Sequence, residues 1–443
     1  MTQSAPPPGS MHNAYQPGKG TLGPAEQDLV TRRQRLLGPA YRLFYETPVH
    51  LVRGEGVWLY DPEGNAYLDT YNNVASVGHC HPHVVAATAR QAATLSSHTR
   101  YLHDGVLAYA EKLLSYFPAE LGHVMFTCTG SEANDLAFRI AQAHTGGTGF
   151  IVTQSAYHGV TSAIAAMSPS LGTGVPLGAH VRTIPPPDPL RMTGDLGVAF
   201  AAQVQKAVDD LARHGIKIAA LLVDTVFSSD GLFTEPSGFL AAAVDVIHRA
   251  GGLFIADEVQ PGFGRTGDAM WGFQRHGILP DMVSLGKPMG NGYPVAGLVL
   301  QPRVIEAFGA NARYFNTFGG NPVAAATAMA VLEVIENQGL MQNAATVGAY
   351  FRAGLQDLAT RNAALGPIRA AGLFLGAEIV AKGDPLAPDA ARTLRVVNHL
   401  RAARVLISAT GPRANVLKIR PPLVFSTDNV DHFLAKLEDA LNA

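Results

Sequence analysis

Residues 281–293 read DMVSLGKPMGNGY, and their reading decides the fold. Asp281 to Leu285 is short, apolar and β-leaning, which predicts an inner strand that stops at Gly286 and delivers Lys287 to its carboxyl end. Burial disfavours an ammonium ion. A lysine in such a place is therefore paired, snorkels to solvent along its aliphatic stem, or is kept as a neutral amine for chemistry.

Working outward, residues from about 120 to 300 alternate between β-rich apolar runs (HVMFT, GFIVT, IAALLVD, GLFIAD, DMVSLG, AGLVL) and alanine-rich helical stretches. That alternation predicts an α/β fold with a mostly parallel central sheet covered by helices. From about residue 330, long helical patterns mix with short strands such as FLGAEIV and VLKIRP, which reads as a smaller α+β lobe. Residues 1–25 are rich in proline, glycine and polar residues and are expected to form a mobile arm.

Composition narrows the function. A chain of 443 residues with 47% hydrophobic content can bury a large core in two or three lobes. Its 33 basic and 35 acidic residues leave a net charge of −2 with no basic block, so neither nucleic acid nor an anionic membrane is an expected partner. Cys80 and Cys128 are the only cysteines, too few for a disulfide framework. No secretory pattern opens the chain and no apolar run has membrane-spanning length. A soluble cytoplasmic protein is expected. HCHPH at 79–83 reads as a turn with no metal role, since it lacks zinc-site spacing. LGKP lacks the surroundings of a P-loop, and no G-x-S-x-G nucleophile elbow occurs.

Open α/β sheets bind ligands in the crevice at the carboxyl ends of their strands. Here AALLVD ends at Asp224, GLFIADE at Asp257 and Glu258, and DMVSLGK at Lys287. HVMFT runs into CTGSEANDLAF, where Gly130 and Ser131 open a helical pattern whose free N–H groups suit a phosphate. A plain helix cap with Ser131 as N-cap explains the same letters. A helix-end phosphate site, a strand-end aspartate and a strand-end lysine together are what pyridoxal 5'-phosphate requires: the lysine forms the Schiff base and the aspartate pairs with the protonated pyridine nitrogen.

With those residues in place, the chain resembles class III aminotransferases of fold type I from about residue 45 onward. The landmarks are GHCHP (78–82), TGSEAN (129–134), YHG (157–159), ADEVQPGFGRTG (256–267), SLGKPMGNGYPVAG (284–297) and FNTFGGNPV (315–323). The resemblance implies that Lys287 carries the cofactor and Asp257 holds its ring nitrogen. Gln260 would sit near the ring hydroxyl, Tyr157 would stack on the ring with His158 beside it, and Gly130 and Ser131 would cradle the phosphate, with Asp224 also at the cofactor. Thr317 would reach the phosphate of a neighbouring subunit's cofactor, which implies a homodimer or a dimer of dimers. The implied organisation is a segment 26–75 joining the small domain, a cofactor-binding domain 76–325 and a C-terminal small domain 326–443.

The reaction is read from departures. Many relatives carry a segment like EPVQGEGG, whose second glutamate pairs with an arginine that binds a substrate carboxylate. Here the matching DTVFSSDG (224–231) has Asp224 and Ser229 at the two glutamate positions, and the arginine position is Lys418 in NVLKIRPPLVF. A lysine lacks the planar fork suited to a carboxylate, although Arg420 would point to the same side of a strand. NNVASVGHCHP, RYLHD, YFNTFGGNP and NVLKIRPP most resemble the branch of phospho-lyases acting on phosphoethanolamine and phosphohydroxylysine. DTVFSSDG does not match that branch closely, so ammonia loss from a hydroxylated aminophosphonate stays open beside phosphate loss. The expected activity is elimination on a small phosphorylated or phosphonate amine bound through Lys418 and Arg420, and the alternative is an ω-amine or amino-acid aminotransferase using a keto acid.

Overall fold

The computed structural model describes residues 11–443. A small N-terminal sheet comes first, with β1 (Arg53–Glu55), β2 (Trp58–Tyr60) and β3 (Ala66–Asp69) paired antiparallel. The large sheet is built from β4 (His123–Thr127), β5 (Gly149–Thr153), β6 (Val181–Ile184), β7 (Ile218–Asp224), β8 (Leu253–Asp257), β9 (Met282–Leu285) and β10 (Ala296–Leu300). Their spatial order is β4-β10-β9-β8-β7-β5-β6, and only β10 runs antiparallel to its neighbours.

The inner strands β5, β7, β8, β9 and β10 are buried along almost their whole length because helices cover both faces, as a mostly parallel sheet requires, while the edge strands β4 and β6 are only partly buried. Helix Gly130–Thr145 packs Leu136, Ala137 and Ile140 against Ala220, Leu222 and Ile255 on one face. Helices Leu196–Arg213 and Ala241–Arg249 pack Phe200, Val204 and Ile247 against Val223, Ala256 and Val283 on the other.

The C-terminal lobe holds β11 (Leu365–Ala371), β12 (Phe374–Ile379), β13 (Val405–Leu406), β14 (Ser408–Thr410) and β15 (Val416–Ile419), with an antiparallel sheet ordered β11-β12-β15-β14. Strand β13 instead pairs in parallel with β3, so the N-terminal sheet is stitched to this lobe. The boundary expected at 325/326 falls inside helix Pro322–Asn337, which packs on helices Pro82–Thr94 and Asp104–Leu114 of the large lobe. Gly339, with a φ of 60° that suits glycine, separates this helix from the next, Leu340–Arg361.

The mobile arm expected over residues 1–25 needs correction as well. Residues 1–10 lie outside the described residues. Residues 11–15 are docked: Asn13 is buried, its carbonyl accepts from the Tyr45 N–H, and its Oδ1 lies 3.1 Å from Ser408 Oγ, whereas residues 16–25 are mostly exposed. Polar composition misread residues 11–15 because their contacts are hydrogen bonds to distant parts of the chain, Leu43 and Tyr45 on one side and Ser408 on the other. No helix among the described residues is long and apolar enough to cross a membrane.

Candidate functional site

Register aligns the site. In the parallel ladder Asp224 lies opposite Asp257, and Asp257 opposite Ser284, so three polar side chains form a row on one face of β7, β8 and β9. The next residues turn the other way. Thr225 Oγ1 donates to Glu258 Oε1 at 2.7 Å, and Glu258 also accepts from the Gly272 and Phe273 N–H groups. Glu258 therefore anchors the loop behind the sheet, away from the crevice at which its neighbour Asp257 stands. Burial pushes its carboxyl up to about 7 against those hydrogen bonds.

A cavity of about 100 Å³ lies over the row, lined by Gly130, Ser131, Tyr157, His158, Asp224, Asp257, Gln260 and Lys287, with Gly159 and Val259 between them. Lys287 stands in the one-turn 3₁₀ helix that follows β9 directly. Burial and then the Arg420 guanidinium push its amine down to about 8, with Asp257 and Asp224 pulling the other way. Asp257 takes the opposite course. Burial alone would raise its carboxyl, but His158, the Val259 N–H and Lys287 together hold it below the usual carboxylate range. His158 Nδ1 lies 2.7 Å and Asn134 Nδ2 3.1 Å from Asp257 Oδ2. An ionised aspartate braced by two side chains suits a protonated ring nitrogen.

The helix entrance differs from the simple cap. Thr129, not Ser131, is the N-cap, in a capping box with Glu132. That leaves Ser131 in the first turn, where its Oγ accepts from the Val160 N–H at 3.1 Å. The cradle is kept open by glycine. A Cβ on Gly130 would stand 2.9 Å from Val259 Cγ2, and one on Gly159, at φ 142°, would stand 2.6 Å from Ser131 Oγ. First-turn N–H groups, a free hydroxyl surface and two glycines fit a phosphate, and Lys287 with Asp257 fits the ring. The residues present thus match pyridoxal phosphate.

Other expected site residues stand farther off. Gln260 lines the cavity, and its Oε1 accepts from Arg420 Nη1. Arg420 itself is buried, does not line the cavity, and lies over the Tyr71 ring at 4.5 Å. Lys418 is buried next to it on β15, with Nζ 5.9 Å from the Phe374 ring centroid, and is likewise outside the cavity wall. Burial and Arg420 push the Lys418 amine down, while burial and Asp257 push the Asp224 carboxyl up. Asp224 accepts from the Ser228 hydroxyl and N–H, and from the Val226 N–H. Ser229 meets Thr410 through its backbone carbonyl only. Thr317 is exposed and does not line this cavity. The HCHPH imidazoles diverge: His79 pairs with Asp69, His81 with Gln338 and His83 with Glu333.

Sequence reasoning missed Asn134, Ser284 and Arg265. Asn134 was visible as the last letter of TGSEAN, one helical turn beyond Gly130. Arg265 was visible inside ADEVQPGFGRTG, but nothing in the letters gave it a role. It is buried, donates to the Leu373 and Pro421 carbonyls, and leaves Nε and one Nη without a partner. Burial and Arg420 push its guanidinium down to about 9.

A mostly parallel sheet with helices on both faces, a lysine and an aspartate on adjacent strand ends and a helix-entrance phosphate cradle define a fold type I pyridoxal-phosphate enzyme. Comparison with known proteins makes this specific. Residues 44–441 match the aminotransferase class-III family, and the chain belongs to that family, whose cofactor is pyridoxal 5'-phosphate. It is 39% identical over 433 residues to the alanine–glyoxylate aminotransferase 2-like protein of Drosophila melanogaster, covering 95% of this chain and 88% of the relative. It is 34% identical over 438 residues to ethanolamine-phosphate phospho-lyase homolog 1 of Caenorhabditis elegans, covering 94% of each. Among solved structures, a phospholyase from Arthrobacter in complex with phosphoethanolamine superimposes with a TM-score of 0.91 at 43% identity, covering 94% of this chain and 100% of that one.

Proposed function

We propose that this protein is a pyridoxal-phosphate-dependent lyase that eliminates phosphate from a small phosphorylated amine such as phosphoethanolamine, or ammonia from a phosphonate analogue. The observation that carries the reading is the buried pair Lys418 and Arg420 beside the Lys287 cavity, with Ser229 where a carboxylate partner would stand. With Ser229 at the gating position, the Arg420 guanidinium meets Gln260 and not a carboxylate, which favours a substrate with a phosphate over one with only a carboxylate. The phospholyase likeness supports the same choice.

When bound, the cofactor supplies an electron sink for the carbon that loses its proton. The chain supplies the rest. Lys287, with its amine pushed down to about 8, is a base for the proton on the amine-bearing carbon. Asp257, braced by His158 and Asn134, would hold the ring nitrogen, and Gly130 and Ser131 would hold the cofactor phosphate. Tyr157, partly exposed at the cavity, would cover the ring, and Gln260, gripped by Arg420, would meet its hydroxyl. With a phosphate on the next carbon, the electron pair left by deprotonation expels it.

Homodimer formation belongs to the same reading, with Thr317 lent to the neighbouring site. Tyr101, Leu102 and Phe318 are 70%, 99% and 70% exposed on the face around Thr317 and support a covered surface there. So does a cytoplasmic setting, consistent with two unpaired cysteines. A second reading, an amine aminotransferase, is favoured by the aminotransferase name of the Drosophila relative.

Turnover of phosphoethanolamine decides between them. Sustained release of inorganic phosphate, ammonia and an aldehyde with no keto acid present is the expected result. A single turnover that resumes only when pyruvate is added would replace the lyase reading with the aminotransferase one.

A further inference from the structure

A second cavity, of about 360 Å³, opens between the two lobes and shares no lining residue with the Lys287 cavity. Its wall joins the ends of β5 and β6, residues 230–233, and the C-terminal sheet. Six charged side chains face it: Arg191, Arg369 and Arg413 against Asp188, Asp230 and Glu378.

The hydrogen bonds around this cleft are lopsided. Every carboxylate oxygen already faces a donor. Asp188 accepts from the Leu190 N–H and from Arg191 Nη1. Asp230 accepts from Thr153 Oγ1 at 2.6 Å and the Ser155 N–H at 2.9 Å. Glu378 takes Arg369 Nη2 at 2.6 Å on one oxygen and Asn415 Nδ2 at 3.0 Å on the other. The donors are not used up in the same way. Arg369 turns Nε and Nη2 to the Gly231 carbonyl, and Nη1 has no partner among the described residues. Arg191 spends one nitrogen on Asp188. Arg413 is exposed and makes no hydrogen bond or ion pair among the described residues. The amides of Gln154 and Gln203 add further donors to the wall.

A cleft whose carboxylates are occupied and whose guanidinium donors are in surplus takes a ligand that accepts hydrogen bonds. Guanidinium forks match phosphate and carboxylate alike, and three of them around one cleft favour the more highly charged phosphate; the volume lies in the range of small-molecule sites. We infer that this interlobe cleft is a second binding site, separate from the cofactor cavity, for a phosphate group held between Arg191, Arg369 and Arg413. That group is either free inorganic phosphate or the head of a small phosphomonoester. The inference is independent of which reaction the Lys287 site performs.

Isothermal titration of the cofactor-loaded protein with inorganic phosphate, and separately with β-glycerophosphate, tests it in a phosphate-free buffer at fixed ionic strength. Saturable binding of at least one probe is expected. Arg413→Gln and Arg191→Gln should each weaken one binding event roughly tenfold, and the double variant should lose it. Both residues are at least partly exposed, outside the catalytic cavity, and the double variant should keep its activity in the absence of phosphate. Tighter binding of inorganic phosphate would assign the free anion, and tighter binding of the ester would assign a phosphomonoester; either supports the site. Absence of saturable binding by both probes, or binding left unchanged by the double variant, would overturn it.

Discussion

His158 Nδ1 stands 2.7 Å from Asp257 Oδ2, and both side chains are buried. The imidazole is thus a brace behind the carboxylate that faces the cavity, and together with the Val259 N–H and Lys287 it offsets the cost of burying that charge. His158→Phe removes the brace and keeps the ring volume. Cofactor affinity should fall roughly 10- to 100-fold for loss of a hydrogen bond to a charged group, and the pH profile of the bound cofactor's visible absorbance should shift. Spectrophotometric titration of the apoenzyme reads both, and an unchanged affinity with an unchanged profile would show that Asp257 needs no help.

Gly159 tests the phosphate cradle from the opposite wall. At φ 142° it occupies backbone space that L side chains rarely adopt, and an added methyl would stand 2.6 Å from Ser131 Oγ. Gly159→Ala should reduce cofactor retention about tenfold or more through strain of about 1–3 kcal/mol. Dialysis against cofactor-free buffer measures the loss. Retention equal to the unaltered protein would mean that Ser131 is free to move and is not part of a fixed cradle.

The central sheet was legible because inner parallel strands are continuous apolar runs of strand length, and six such runs announce themselves between helical patterns. Lys287, Asp224 and Asp257 were legible because each ends such a run. The sequence could not tell that Glu258 turns its back on the crevice until β8 had a register, since one residue of slip exchanges the faces of a strand. Nor could it show how far Lys418 and Arg420 stand from the cavity wall. That depends on the placement of β15 against Tyr71 and Gln260, residues nearly 350 and 160 positions away. Asn13 was read as part of a mobile arm because its burial rests on Tyr45 and Ser408, which no local pattern connects to it.

Lys287 gives a pH dependence with a definite sign. Its folded-state amine titrates near 8, below the ordinary lysine value of 10.5, so at pH 7 about one molecule in ten carries the neutral nucleophile. Uptake of pyridoxal phosphate by the apoenzyme should therefore accelerate as pH rises through about 8 and level off above it. The same depression means that the unfolded chain binds the extra proton between about 8 and 10.5, so apoenzyme stability should rise with pH across that window. Stopped-flow absorbance after mixing reports the first effect and thermal unfolding the second. A rate still climbing steeply at pH 10 would place the amine near its ordinary value.

Thr317 and Leu102 separate assembly from chemistry. If a second copy covers the face around Tyr101, Leu102 and Phe318, Leu102→Glu should shift sedimentation toward a monomer, because a charge would be placed where an apolar surface is covered. Thr317→Val should leave assembly intact and weaken cofactor retention by about 1–3 kcal/mol for a lost hydrogen bond to phosphate. A fully active monomer in the Leu102 variant would remove Thr317 from the site.

Arg420 connects the substrate reading to the Lys287 amine. It is buried, grips Gln260, and is the largest cause after burial of the depressed Lys287 amine. Arg420→Gln should let Lys287 keep its proton to higher pH, moving the midpoint of cofactor uptake upward from about 8. The same change should raise KM for phosphoethanolamine, because it removes a cation from the side on which the substrate phosphate would lie. Lys418→Ala supplies the comparison. Arg420 outweighs either aspartate in its effect on the Lys287 amine, so this second variant should raise KM while moving the uptake midpoint less than Arg420→Gln does. If neither variant moves KM, the buried pair is structural, and the phosphate of the substrate is held elsewhere.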